Sequence, residues 1–214
     1  MGDFIGNLRS EMLCQPVHRV TVSPFELSRD EVTVSQYSVF VGETEHPEPR
    51  FWRDQLANPD RPVIYVSWND AVAFAKWVGA RLPTEAEWEF AARGGLVHQK
   101  YPWGSESPGN RANLGHDWGN DGDGWRKYLA PPGTYPPNAF GLNDMAGNVW
   151  EWTADRFGPY TPGLSVNPAG SSTGNLRVMR GGAWNSTESF IRNAFRGPSQ
   201  PGFKGPHVGF RVAR

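Results

Sequence analysis

Apolar and polar positions change their rhythm along this chain. Between residues 17 and 27, Val17, Val20, Val22, Phe25 and Leu27 recur in short alternation, which predicts a strand passing Pro24. Thr33 then precedes a helical stretch with Tyr37, Phe40 and Val41 on one side, and the polar, proline-rich segment 43–62 reads as a loop. Ser67 and Asp70 have the spacing of a capping box, in which hydroxyl and carboxylate satisfy exposed N–H groups at a helix start. Trp68, Ala71, Val72, Ala75 and Val78 follow at helical spacing until Gly79. Thr84 and Glu87 repeat the device after Pro83 and open a second helix through Trp88, Phe90 and Ala91 to Gly94. From Tyr101 onward Gly, Pro, Asn and Asp interrupt every few residues, leaving short apolar runs such as Val149-Trp150 and Val208 to Val212. The class is α+β, with helices early and irregular loops with short strands late. No repeat or linker divides the chain, so the expected organisation is an N-terminal extension over 1–15 and a single domain over 16–214.

Composition sharpens this picture. In 214 residues, 25 Gly, 19 Pro and 10 Trp imply long structured loops pinned by aromatic anchors. The net charge of −1 argues against a dedicated nucleic-acid binder, which would carry a basic excess. Cys14 is the only cysteine, so neither an intrachain disulfide nor a thiolate metal site can form within the chain, and its expected role is structural. Residues 1–10 lack the apolar run of a signal peptide, and no stretch is long enough to insert in a membrane; the expectation is a soluble, cytoplasmic protein.

Several strings then occur in a fixed order: Pro62 to Trp68, Arg81-Leu82-Pro83-Thr84-Glu85-Ala86-Glu87-Trp88-Glu89, Tyr101-Pro102-Trp103-Gly104, Gly141 to Trp152, Arg180-Gly181-Gly182-Ala183-Trp184 and Gly209-Phe210-Arg211. In these the chain resembles the formylglycine-generating enzyme (sulfatase-modifying factor) family from about residue 16 to its end. The resemblance implies an elaborated C-type-lectin-like fold with little regular secondary structure, often stabilised by Ca²⁺. One calcium site would use Asp144, Gly147, Val149 and Glu151, two carboxylates and two backbone carbonyls within eight residues, the hard oxygen donors Ca²⁺ prefers. The family positions of a second site fall on Asn113, the Leu114 carbonyl, Asp123 and the Trp125 carbonyl. The segment 120–124 has the composition of a cation-binding loop in its own right, although acids in such turns also serve as caps.

The same resemblance marks what is missing. Formylglycine-generating enzymes hold copper(I) with two cysteines after the Gly-Gly-Ser-Trp string, and thiolates are needed both for that soft ion and for the substrate thiol. Here those positions carry Ser186 and Ile191, and Ala183 replaces the serine. No copper and no formylglycine synthesis are expected. The five histidines (His18, His46, His98, His116, His207) form no metal-binding spacing, no nucleophile elbow, phosphate loop or triad is present, and Glu87 and Glu89 sit in a capped helix as structural acids.

The C-terminal segment 180–211 also resembles the variable proteins of diversity-generating retroelements, which display altered residues on a lectin-like scaffold. The matching variable positions are Asn185, Ser186, Thr187, Ser189, Phe190, Ile191, Phe195, Phe203 and His207, a mixture suited to adaptable recognition. Residues 177–214 carry seven Arg or Lys against the single acid Glu188, a bias that would favour an acidic partner. The expectation is a non-catalytic module binding a protein or glycan; the alternative is a cysteine-independent enzyme of the same family that tailors a small molecule or peptide oxidatively.

Overall fold

The computed structural model describes residues 1–3, 14–117 and 124–214. Five short helices and six short strands appear among them: β1 (Arg19–Thr21), α1 (Val34–Thr44), α2 (Trp52–Leu56), α3 (Trp68–Trp77), α4 (Glu85–Arg93), α5 (Trp125–Tyr128), β2 (Trp150–Arg156), β3 (Leu164–Val166), β4 (Arg177–Arg180), β5 (Gly197–Ser199) and β6 (Val208–Gly209). The principal sheet runs β5-β4-β2-β6, with β4 antiparallel to both β2 and β5 and β6 parallel to β2. β1 pairs in parallel with β3 in a separate ribbon.

The capping boxes form at both expected helices, Ser67/Asp70 on α3 and Thr84/Glu87 on α4, and a third, Thr33/Gln36, opens α1. The strand expected over 17–27 contracts to three residues. The segment 43–62, expected as a loop, contains α2, whose first turn follows Phe51 in a left-handed conformation (φ 56°) with no side-chain cap. A helix that starts without a cap leaves no local signal in sequence.

The core gathers α1, α3 and the principal sheet. Tyr37 stacks on Phe74 with centroids 5.6 Å apart, and Phe40, Trp52, Ile64, Trp152, Trp184 and Phe210 complete the cluster. At roughly 25 cal/mol per Å² and about 200 Å² per ring system, each fully buried indole contributes about 5 kcal/mol. Beneath the core lies a second framework of buried ion pairs. Arg196 pairs with both oxygens of Glu85, Arg180 with Glu89, Arg192 with Asp3, and Arg211 with both oxygens of Glu151. These pairs correct the basic bias read from the sequence. Four of the seven cations of 177–214 point inward and are neutralised, so the segment offers no strongly basic surface.

Candidate ligand face and cation sites

The C-terminal segment leaves β4 through Gly181 and Gly182, both left-handed (φ 91° and 71°). A Cβ at Gly182 would stand 2.7 Å from Ile191 Cγ2, so only glycine lets the chain pass beneath the following loop. Trp184 is buried and its Nε1–H donates to the Pro206 carbonyl (3.1 Å), tying the loop 185–190 to the loop 200–207. On its other side Trp184 stacks on Tyr128 (6.1 Å), which stacks on His116 (4.2 Å, 7°). The amides of Gly115 and His116 donate to the carbonyls of Ser186 and Trp184, locking this strip to the loop.

The nine positions expected on the ligand face separate into three groups. Thr187, Ser189, Phe190 and Phe203 are exposed, whereas Asn185, Phe195 and His207 are half-buried. Ser186 and Ile191 lie inside, which narrows the face. The Ser186 hydroxyl accepts from the Ala183 amide (2.9 Å) as part of a tight turn, and Ile191 packs with Tyr101, Ala112 and Ala146.

Phe190, Phe195 and Trp150 form one aromatic cluster, with Phe190–Phe195 at 4.8 Å and Trp150 at 6.3 and 5.9 Å from them. Trp150, which the sequence did not mark as a ligand residue, is thus the floor under Phe190. Its amide also donates to the His207 carbonyl (2.8 Å). The His207 ring lies 6.0 Å from Phe203, and burial pushes its pKa down to about 4, so it is neutral at physiological pH. The loop carrying Phe203 is fastened from behind by Lys204 on Asp70 and by the Trp68 and Tyr65 amides, which donate to the carbonyls of Pro201 and Gly205.

The cation-site residues are also brought together, with one difference. Asp144 sits in a left-handed turn (φ 52°); its Oδ2 accepts from the Gly133 amide, and its Oδ1 is buried with no partner among the described residues. Gly147 lies so close to Asn113 that a Cβ there would overlap the Asn113 carbonyl. Glu151, however, is fully engaged by Arg211 and by Trp88 Nε1–H, so it does not present a free carboxylate. The acid that joins Asp144 is instead Glu31, which the sequence reading missed. It accepts from Asn148 Nδ2 and the Val149 amide. Burial, together with repulsion from Asp144 and Glu151, holds Glu31 well above the usual carboxylate range, and burial raises Asp144 to about 6. The carboxyls of Glu31, Asp144 and Glu151 thus all face the one guanidinium of Arg211.

At the second set, Asn113 Oδ1 is buried and unpartnered among the described residues, while its Nδ2 donates to the Tyr128 carbonyl and to Asn148 Oδ1. Leu114 is half-buried beside it; the Trp125 carbonyl already accepts from Leu129 within α5, and Asp123 lies outside the described residues. Among the described residues no three His, Cys, Asp or Glu side chains are grouped to hold a metal, so any ion here must draw on amide and carbonyl oxygens. Nor is any helix among them long and apolar enough to cross a membrane.

Comparison with known proteins gives the family and the fold. Residues 1–214 match the sulfatase-modifying factor enzyme 1-like domain. A formylglycine-generating enzyme of Streptomyces coelicolor is 36% identical over 267 residues, covering 100% of this chain and 85% of that protein. Among solved structures, PvdO from Pseudomonas aeruginosa superposes with a TM-score of 0.81 at 30% identity, covering 100% of this chain and 89% of its own. Treponema denticola variable protein 1 superposes with a TM-score of 0.79 at 25% identity, covering 96% and 89%.

Proposed function

The chain belongs to the sulfatase-modifying factor enzyme 1-like family and has its C-type-lectin-like fold, and on that footing we propose that it is a non-catalytic binding member, recognising a protein or glycan through the loops 185–190 and 200–207. The observation that carries this reading is the pairing of exposed Phe190 and Phe203 with small polar neighbours on loops anchored from beneath. Rigid loops bearing aromatic anchors are the usual source of binding energy at recognition surfaces. At the two cysteine positions of the enzymes stand Ser186, whose hydroxyl is held in a turn, and Ile191, which is core. Neither supplies a thiolate.

Likeness to a variable protein supports the finer reading, that this face is diversified by a retroelement. Ca²⁺ is the cation proposed for the Asp144 and Asn113 sites, where the unpartnered oxygens Asp144 Oδ1 and Asn113 Oδ1 would receive it; its work is to stiffen the scaffold, and no role in turnover is assigned to it. The competing reading, a cysteine-independent enzyme, draws on the 36% identity to a formylglycine-generating enzyme across the whole chain.

The experiment is a search of the DNA flanking the gene for a near-copy of the stretch encoding residues 180–211, together with copper-loaded turnover of a cysteine-bearing sulfatase-type peptide. A near-copy differing at its adenines, with no aldehyde formed, is the expected result. Aldehyde production would overturn the binding reading.

A further inference from the structure

Of the cations in 177–214 that do not point inward, Arg177 has a like charge for a neighbour. It is the ladder partner of Arg156 across the antiparallel pair β2–β4, and of Ser199 on its other side across β4–β5. Directly opposed residues put their side chains on one face of a sheet, with Cβ atoms about 4.5–5.5 Å apart. Two guanidiniums and a hydroxyl therefore lie in one row across three strands.

Arg177 is fixed in that row. Its guanidinium carbon stands 3.7 Å over the centre of the Trp68 ring, and Nη1–H donates to the Ala154 carbonyl (2.8 Å). Trp68 is held in turn by its own Nε1–H on the Thr153 carbonyl (2.8 Å). Four of the five guanidinium N–H groups of Arg177 are left over. Arg156 is exposed, and its backbone is held where its carbonyl accepts from the Ser171 amide (3.1 Å). Among the described residues no carboxylate pairs with either guanidinium, and the Ser199 hydroxyl has no hydrogen bond.

The charge in this row is not offset from within. Like charges directly opposed weaken a sheet. Burial, and then the charge of Arg156, pull the Arg177 pKa below its ordinary value. The carboxyl that acts against them is Asp155, which is buried and keeps its proton up to about pH 7. The exposed Arg29, Arg81, Arg111 and Arg126, by contrast, each meet an acid at 3.2 Å or less.

We propose that this row is an anion site for a phosphate or sulfate group carried on a ligand, received between the guanidiniums of Arg156 and Arg177, with the Ser199 hydroxyl donating a further bond. A tetrahedral oxyanion has enough oxygens to divide between two guanidinium forks. A carboxylate has two, and would satisfy one fork and leave the other unmet. Ser199 leads directly into the loop 200–207, so a ligand long enough to span both would set its charge beside the aromatic face. The anion site itself does not depend on that face.

The test is titration of the full chain at pH 7 with inorganic phosphate, sulfate and acetate, the ionic strength held constant with sodium chloride, and repeated on Arg156→Gln. Amide chemical shifts and melting temperature are read. Phosphate or sulfate is expected to shift the amides of Arg156, Arg177 and Ser199 and to bind at least fivefold more tightly than acetate; the tighter of the two names the group on the ligand. In chloride alone Arg156→Gln is expected to melt no lower than wild type, because a repulsion is removed. Phosphate and sulfate are expected to raise its melting temperature less than that of wild type, since in the variant they act only through exclusion from the surface. Equal affinity for acetate, shifts that are absent or spread over the other exposed arginines, or an unchanged response in Arg156→Gln would overturn the proposal. The wild-type shifts decide the matter even if the variant does not fold.

Discussion

Lys204 Nζ lies 2.8 Å from Oδ2 of Asp70, the same oxygen that accepts the Ser67 amide and hydroxyl at the start of α3. One carboxylate therefore caps a helix and fastens the loop that presents Phe203. Oδ1 of the same group contacts His46 Nε2 at 2.9 Å. Burial alone would raise the pKa of Asp70, but hydrogen bonds from Lys204, Ser67 and His46 outweigh it and hold the group at about 2. With a folded value below the unfolded one, its contribution is present above about pH 4 and is lost as pH falls toward 2. Asp70→Asn is expected to cost about 1–2 kcal/mol at pH 7, read by denaturant midpoints, and less at pH 2.5. Lys204→Met is expected to cost under about 1 kcal/mol because the ammonium is partly exposed, yet to broaden the amide signals of 202–205. Equal costs at both pH values would sink this account of Asp70.

The inward arginines make a contrasting prediction. Arg196→Met strands the buried Glu85 carboxylate and is expected to cost about 3–5 kcal/mol, whereas Arg214→Ala, at an exposed position, is expected to change stability by less than about 0.5 kcal/mol. Thermal melts of the pair check it; similar losses would mean that the buried ion pairs do not organise the segment.

Asp155 sets a pH slope of opposite origin. Burial first, then the Glu85 carboxylate, raises it to about 7. The unfolded chain ionises near pH 4 while the fold retains the proton, so stability is full below about pH 4 and falls as pH rises to about 7, by roughly 4 kcal/mol at most. In Asp155→Asn this slope is expected to flatten between pH 5 and 8. An unchanged slope would assign the effect to other groups.

Calcium gives the fourth prediction. An ion bound only by the fold adds RT ln(1 + [L]/Kd), about 2.7 kcal/mol at a hundredfold excess over Kd, or roughly 5–10 °C in Tm for a chain of this size. Chelation is expected to remove that increment, and Asp144→Asn to shrink it. A melting temperature indifferent to both would dismiss the cation.

The sequence made the fold legible where the determinants are local. Ser67/Asp70 and Thr84/Glu87 specify α3 and α4 within four residues each, and the structure has both. It left α2 unread because Phe51 supplies a backbone angle in place of a cap. The ligand loop was found as a segment but not resolved into outward and inward side chains, since Ile191 enters the core through partners between 45 and 90 residues away. The arginines misled for the same reason. Arg196 meets Glu85 across 111 positions and Arg211 meets Glu151 across 60, distances at which composition registers charge but not neutralisation. Glu31 was missed because its neighbours Asp144 and Glu151 lie more than a hundred residues downstream.

The turn from Gly181 through Ile191 has one more consequence. Its determinants (two left-handed glycines, a buried indole, an inward serine and an inward isoleucine) all face the protein, while the side chains of Thr187 and Ser189 face away and contribute little to holding the loop. Stability and surface chemistry are therefore written on separate residues of one short stretch. A library randomised only at Thr187 and Ser189 would alter what the surface touches while leaving the melting temperature nearly constant, which makes the stretch a natural cassette for engineering.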